Sequence, residues 1–234
     1  MSQKLEASSA GTANSAAGKP VYEPASVVRH IAHELRQPLS TIESIAFYLE
    51  MVLPRTEGKA RRQLAKLQQE VHQINWILSD AIHFLRAAPL NLHLMDLSEV
   101  VSRCLSEWNS TQSTGVSLRL AEDLPLIQLD LEQIQHLLRN IVAFFTRIAE
   151  PERPIMLRTF VQDGRVALEV NANAPHCTEA DTQPLFEPFD SHLPGGSGLG
   201  LASVRRIAEA HGASLDMNVS PAGSVTLTLA FPVA

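Results

Sequence analysis

The sequence predicts an α+β chain: a helical hairpin that forms a four-helix bundle as a dimer, followed by an α/β sandwich of one mixed sheet covered by helices. Two observations carry this expectation. Two consecutive segments repeat apolar residues in steps of four and three, with a short loop between them. The rest of the chain, after Pro89, alternates helical and extended patterns. A two-helix hairpin has no room to bury two heptad seams on its own, so two chains are expected to combine into a homodimer; the alternative, a hairpin packed on its own C-terminal domain, fits the strict heptads less well.

Taken in order, residues 1–24 are rich in Ser, Ala, Gly and Thr without periodicity and read as a disordered tail or linker. Residues 25–89 read as the hairpin. Its first helix, from about Pro24 to Leu53, carries the seam Ile31, Leu35, Pro38, Ile42, Ile45, Leu49 and Val52. Residues 54–58 form the loop, and the second helix repeats the device with Leu64, Leu67, Val71, Ile74, Leu78, Ala81 and Leu85.

Residues 90–234 read as a second domain. A helix is expected over 97–108, strands over 116–120 and 126–129, and an amphipathic helix over 131–148 that turns Ile134, Leu137, Leu138, Ile141 and Val142 inward. Strands over 155–161 and 166–170 meet at the Gln162-Asp163-Gly164 turn. A helix over 199–211 is stopped by Gly212, and a closing pair of strands, 214–219 and 224–231, turns at Pro221-Ala222-Gly223.

Bulk properties exclude several classes. With 234 residues and a net charge of -6, the chain has the core of one or two small domains and no basic face for nucleic acid. No apolar run approaches the length of a membrane span, so direct membrane insertion is not expected. The N-terminus lacks an apolar signal core, and Cys104 and Cys177 have no motif spacing, which suits a reducing, cytoplasmic location. Histidines and cysteines do not cluster, and no metal site is expected.

The residue that points to chemistry is His33. At about 100° per residue it lies roughly opposite the seam, in water, with Glu34 beside it. A solvated face is the commoner meaning of such a histidine, and a zinc-binding HExxH helix is ruled out because the fifth residue of the phrase is Gln37. Residues 31–39, Ile-Ala-His-Glu-Leu-Arg-Gln-Pro-Leu, nevertheless resemble the H-box of two-component histidine kinases. That resemblance implies that His33 carries a phosphoryl group and that Glu34 orients and deprotonates its ring. It makes Arg36 a candidate for contact with phosphate or a receiver domain, and places Gln37 where relatives position a water for dephosphorylating a partner. Pro38 would let the helix bend just past the site.

The C-terminal half resembles the ATP-binding domain of the same kinases, so that together the likeness covers nearly everything after about residue 25. Phe186-Glu187-Pro188-Phe189 is similar to the family's F-box, and Gly195-Gly196-Ser197-Gly198-Leu199-Gly200-Leu201 to its second glycine box. Glycines there let backbone amides approach phosphates at a helix N-terminus. The pattern then breaks. Where the family has a D-x-G-x-G box, whose aspartate accepts a hydrogen bond from the adenine amino group, this chain has Ala172, Ala174 and His176. Asn140 matches the first asparagine of the family's metal-binding helix, and Phe144 stands at the second; a gapped frame puts His136 first and Asn140 second. Leu193 replaces a phosphate-contacting lysine. The residual pocket positions are therefore Asn140, Gly195, Gly196, Gly198 and Gly200.

Each charge-assisted hydrogen bond lost is worth roughly 1.5–3 kcal/mol, so losing the aspartate and the lysine together would cost roughly two to four decades in affinity. The reading that follows is a phosphorelay protein. His33 exchanges a phosphoryl group with a response-regulator receiver aspartate, ATP-dependent autophosphorylation is impaired or lost, and no cofactor is expected. The receiver is expected to dock around His33 and the bundle end near the loop after Leu53. One alternative is a functional ATP-dependent autokinase, using ATP and magnesium. Another is a non-catalytic dimeric regulator of a true kinase, which would work without His33.

Overall fold

The computed structural model describes residues 24–54, 56–85, 89–108, 115–179, 182, 184–189 and 198–233. The expected tail lies almost wholly outside the described residues.

Helix α1 spans Pro24–Val52 and helix α2 spans Gly58–Leu85. The turn between them is closed by Arg61, whose Nη2 donates to the Leu53 and Glu50 carbonyls at 2.8 and 3.0 Å. Glu50 is in the last turn of α1 and Leu53 directly follows the helix, where carbonyls lack helical partners. The helices meet along Ala32, Leu39 and Ala46, one residue per heptad, against Leu64 and Val71. Alanine at two of those three positions lets the backbones approach. The wider seam behaves differently: Ile31 and Ile45 are 49% and 55% exposed, and Leu35, Ile42, Leu49 and Val52 are exposed as well. The two helices of one chain therefore pair on the narrow line and leave the broad apolar stripe facing outward.

The second domain is built on a five-stranded mixed sheet in the order β2-β4-β5-β7-β6. Its strands are β2 (Val116–Arg119), β4 (Ile155–Gln162), β5 (Arg165–Asn173), β6 (Ser214–Val219) and β7 (Ser224–Pro232). β2 and β4 run parallel, and the other neighbours run antiparallel. Alternate residues of β5 and β7 point into one core: Val166, Leu168 and Val170 stand opposite Phe231, Leu229 and Leu227. Helices α3 (Leu97–Trp108), α4 (Leu131–Ile148) and α5 (Gly200–Ala210) belong to the same domain. All five residues expected to turn inward from α4 are buried, and they join the sheet residues in that core.

A separate two-stranded ribbon, β1 (His93–Met95) with β3 (Ile127–Leu129), has no counterpart in the sequence reading for its first strand. β5 also runs further than expected. Its pairing with β7 continues through Ala172 opposite Val225 and Asn173 opposite Ser224, which takes Ala172 into the sheet. Asp130 caps α4, accepting from Gln133 N–H at 3.2 Å, and its own N–H donates to His211 Nε2 at 3.0 Å. His211 Nδ1 lies 2.8 Å from the Ile207 carbonyl, so the ring carries its proton on Nδ1 and ties the end of α5 to the start of α4.

Candidate functional site

His33 and Glu34 are both exposed on α1. Arg36, one turn on, donates from Nη2 to Ser79 Oγ of α2 at 3.2 Å. Gln37 is exposed, and its carbonyl accepts from Thr41 Oγ1 at 3.2 Å. The helix continues unbroken through Pro38, which has no N–H to give the Glu34 carbonyl its usual helical bond. These four side chains share no hydrogen bond with one another among the described contacts. They place an imidazole, a carboxylate, a guanidinium and an amide on the exposed part of one stretch of α1.

The second candidate region lies where α4 meets the start of α5. His136 and Asn140, one turn apart on α4, are both buried and linked by Asn140 Nδ2 to His136 Nε2 at 3.0 Å. Gly200 opens α5 directly opposite: a Cβ on it would stand 3.4 Å from Asn140 Oδ1. Gly198 has φ of +68°, and a Cβ there would fall 2.9 Å from the Phe189 Cα. Phe189 itself has φ of +66° and donates its N–H to the Gly198 carbonyl at 2.8 Å. The end of the F-box and the last part of the glycine box are thus held together by backbone contact. Gly195, Gly196 and Leu193 lie outside the described residues.

The remaining pocket positions point elsewhere. Ala172 is 2% exposed and belongs to the apolar core, as does Phe144, whose ring meets Phe145 edge-on at 5.4 Å. Neither side chain holds an oxygen or nitrogen for adenine or for a metal. The backbone N–H of Ala174 is taken by the Gly223 carbonyl at 2.7 Å, and His176 is exposed. Two surface grooves, of about 770 Å³ beside α3 and about 490 Å³ between Phe186 and Arg205, include neither Asn140 nor Gly200 in their walls. Among the described residues, no group of three or more His, Cys, Asp or Glu side chains is arranged for a metal ion, and no helix is long and apolar enough to cross a membrane.

A feature that the sequence reading missed joins the two regions. Asp80 of α2 is fully buried against α4, with Oδ1 3.2 Å from His136 Nε2. Trp76 Nε1–H, one turn back, donates to Asp80 Oδ2 at 3.0 Å. His83 stacks on His136 with ring centroids 3.9 Å apart. Arg206 of α5 donates to the Phe84 carbonyl and lies over the Phe84 ring. Burial lowers the pKa of the Arg147 guanidinium, and the Asp80 carboxylate acts against that shift. The sequence signal for this contact was slight: a lone aspartate in a heptad helix reads as solvated.

Residues 25–89 match the family of His Kinase A (phospho-acceptor) domains, and residues 129–234 match the histidine kinase-, DNA gyrase B- and HSP90-like ATPases. Among curated proteins, the chain is similar to the sensor histidine kinase ZraS of Klebsiella oxytoca, 28% identical over 209 residues, which cover 87% of this chain and 45% of ZraS. It therefore spans less than half the length of that relative. Among solved structures, full-length ShkA in complex with AMPPNP superposes with a TM-score of 0.69 at 22% identity, over 89% of this chain and 46% of ShkA. The Acinetobacter baumannii histidine kinase AdeS superposes with a TM-score of 0.56 at 19% identity, over 86% of this chain and 98% of that one. At these identities the two structures speak for the fold.

Proposed function

Because the chain belongs to the two-component histidine kinases, as a transmitter core of phospho-acceptor hairpin and ATPase-type domain, we propose that it serves as a phosphorelay protein whose His33 is loaded by a receiver domain and not by its own ATP site. The observation that carries this is a contrast. The imidazole of His33 stands in solvent beside Glu34, while Ala172 and Phe144 are sealed in the core at the positions where adenine and metal would be read. In the ungapped frame these two positions offer neither adenine nor a metal a polar side chain, which supports this reading.

In the exchange, a ring nitrogen of His33 attacks the phosphorus of a receiver's aspartyl phosphate. The bond from phosphorus to the aspartyl oxygen breaks, and its electron pair returns to the carboxylate. The ring proton passes to Glu34 or to water, which leaves an uncharged ring bearing the anionic phosphoryl group, a phosphoramidate able to hand that group to a second receiver carboxylate. Arg36 lies one turn away on the same helix, within the approach of a phosphate. Two copies pair through the exposed stripe of α1, so each dimer offers two such histidines.

The autokinase reading keeps one observation in its favour: Asn140 and Gly200 remain side by side, and the matched relatives are named as sensor kinases. The test of the main reading is transfer from a phosphorylated receiver domain of the same pathway. The chain is expected to acquire acid-labile, alkali-stable label, and His33→Gln to abolish it with the fold unchanged. Label that persists in His33→Gln would remove His33 from the reading.

A further inference from the structure

Helix α2 is held from two sides. Toward α1 it turns Leu64 and Val71, and Arg36 of α1 reaches across to Ser79 Oγ at 3.2 Å. On the opposite side it drives Asp80 into the ATPase-type domain, where the carboxylate is fully buried. There Oδ1 stands 3.2 Å from His136 Nε2, and Oδ2 accepts the Trp76 Nε1–H at 3.0 Å. Successive helix residues stand about 100° apart, so Ser79 lies on the flank between the two contacts. His83, stacked on His136, and Phe84, whose carbonyl accepts from Arg206, carry the same contact along the last turn of α2. Parting a buried carboxylate from its partners is costly. The rotation of α2 about its own axis, and with it the place of the Ser79 hydroxyl, is therefore set by the ATPase-type domain.

That hydroxyl matters because of what it holds. Arginine is among the side chains that lose most rotamer freedom when fixed, and a hydrogen bond made beforehand reduces what is lost when a phosphate arrives. A guanidinium has five N–H donors, and the bond to Ser79 uses one, which leaves donors for a phosphate one turn from His33. We propose that Ser79 and Asp80 are positioning residues of the phosphoryl transfer: Asp80, anchored in the ATPase-type domain, sets α2 so that Ser79 holds the Arg36 guanidinium at the turn that follows His33. This gives the ATPase-type domain a task at the phospho-acceptor site that needs no nucleotide. The bonds made and broken are those of the exchange at His33, and Ser79 and Asp80 touch none of them. The inference rests on the reading of His33 as the acceptor of a receiver's phosphoryl group.

The test uses the full chain and a labelled phospho-receiver of the same pathway. It reads the transfer rate at saturating receiver and the receiver concentration that gives half that rate. Ser79→Ala is expected to slow the saturated rate about threefold to fivefold, the worth of one hydrogen bond, with the half-saturating concentration unchanged. Ser79→Thr, which keeps the hydroxyl, should run at the wild-type rate. Asp80→Ala should show the same loss as Ser79→Ala. Asp80→Asn, which keeps the volume and withdraws the charge that faces His136, is read in its place if Asp80→Ala does not fold, with the same loss expected. In a chain that already carries Arg36→Ala, neither the Ser79 nor the Asp80 substitution should slow transfer further, since all act through one guanidinium. An unchanged rate in Ser79→Ala or in the Asp80 variant, or losses that multiply with that of Arg36→Ala, would overturn this inference while label on His33 stands. Absence of label on the wild type would overturn the reading of His33 and this inference with it.

Discussion

Arg36 donates from Nη2 to Ser79 Oγ across the hairpin, and Ser79 directly precedes the buried Asp80. The turn that carries His33 and the turn that enters the ATPase-type domain are therefore joined at one level of the bundle. The bond is exposed and single, which limits what it contributes to stability.

That limit makes Arg36 informative. Arg36→Ala is expected to change unfolding free energy by no more than about 0.5 kcal/mol in urea denaturation, as for other exposed positions. Transfer from a phosphorylated receiver should slow about tenfold, the equivalent of about 1.4 kcal/mol for one charge-assisted bond to phosphate. A normal transfer rate would leave Arg36 with the Ser79 contact alone.

The outward seam predicts assembly. Ile42 lies in the middle of the exposed stripe, so Ile42→Glu places an unpaired carboxylate in the bundle core of a dimer and should cost several kcal/mol of association. Sedimentation is expected to find the wild type dimeric at micromolar concentration and the variant monomeric. A monomeric wild type would contradict the four-helix bundle.

Much of the fold was legible because the local signals agreed with the packing. Helix α4 could be bounded from Asp130 and its apolar spacing, and those residues fill the core. Strand β1 was not legible: His93 and Leu94 are exposed, no alternation marks it, and only its pairing with β3 makes it a strand. The seam of α1 was visible, but which helix it meets was not, because Ala32 and Ala46, the small residues of the inner line, carry no strong apolar signal. The surface around His33 could be read from one phrase of sequence. Asp80 could not, since its burial depends on the docking of α4, some fifty residues away along the chain.

Two glycines separate backbone strain from crowding. Gly164 and Gly223 both have positive φ, but a Cβ at Gly164 meets nothing within 4 Å, whereas one at Gly223 falls 2.7 Å from the Pro175 Cα. Gly164→Ala is expected to cost about 1–2 kcal/mol, the left-handed penalty alone. Gly223→Ala adds an overpacking term and should cost about 2–5 kcal/mol. Equal losses in urea denaturation would show that the segment after β5 yields freely.

The central claim is that the phosphoryl group on His33 comes from a receiver domain and not from ATP. It is tested most directly by measuring acid-labile label on the purified chain after two parallel incubations, one with γ-labelled ATP and magnesium alone, the other with a labelled phospho-receiver. The account predicts label only in the second, because Ala172 offers adenine no acceptor and, in the ungapped frame, Phe144 offers magnesium no ligand. Label on His33 from ATP alone would contradict it and establish the chain as an autokinase.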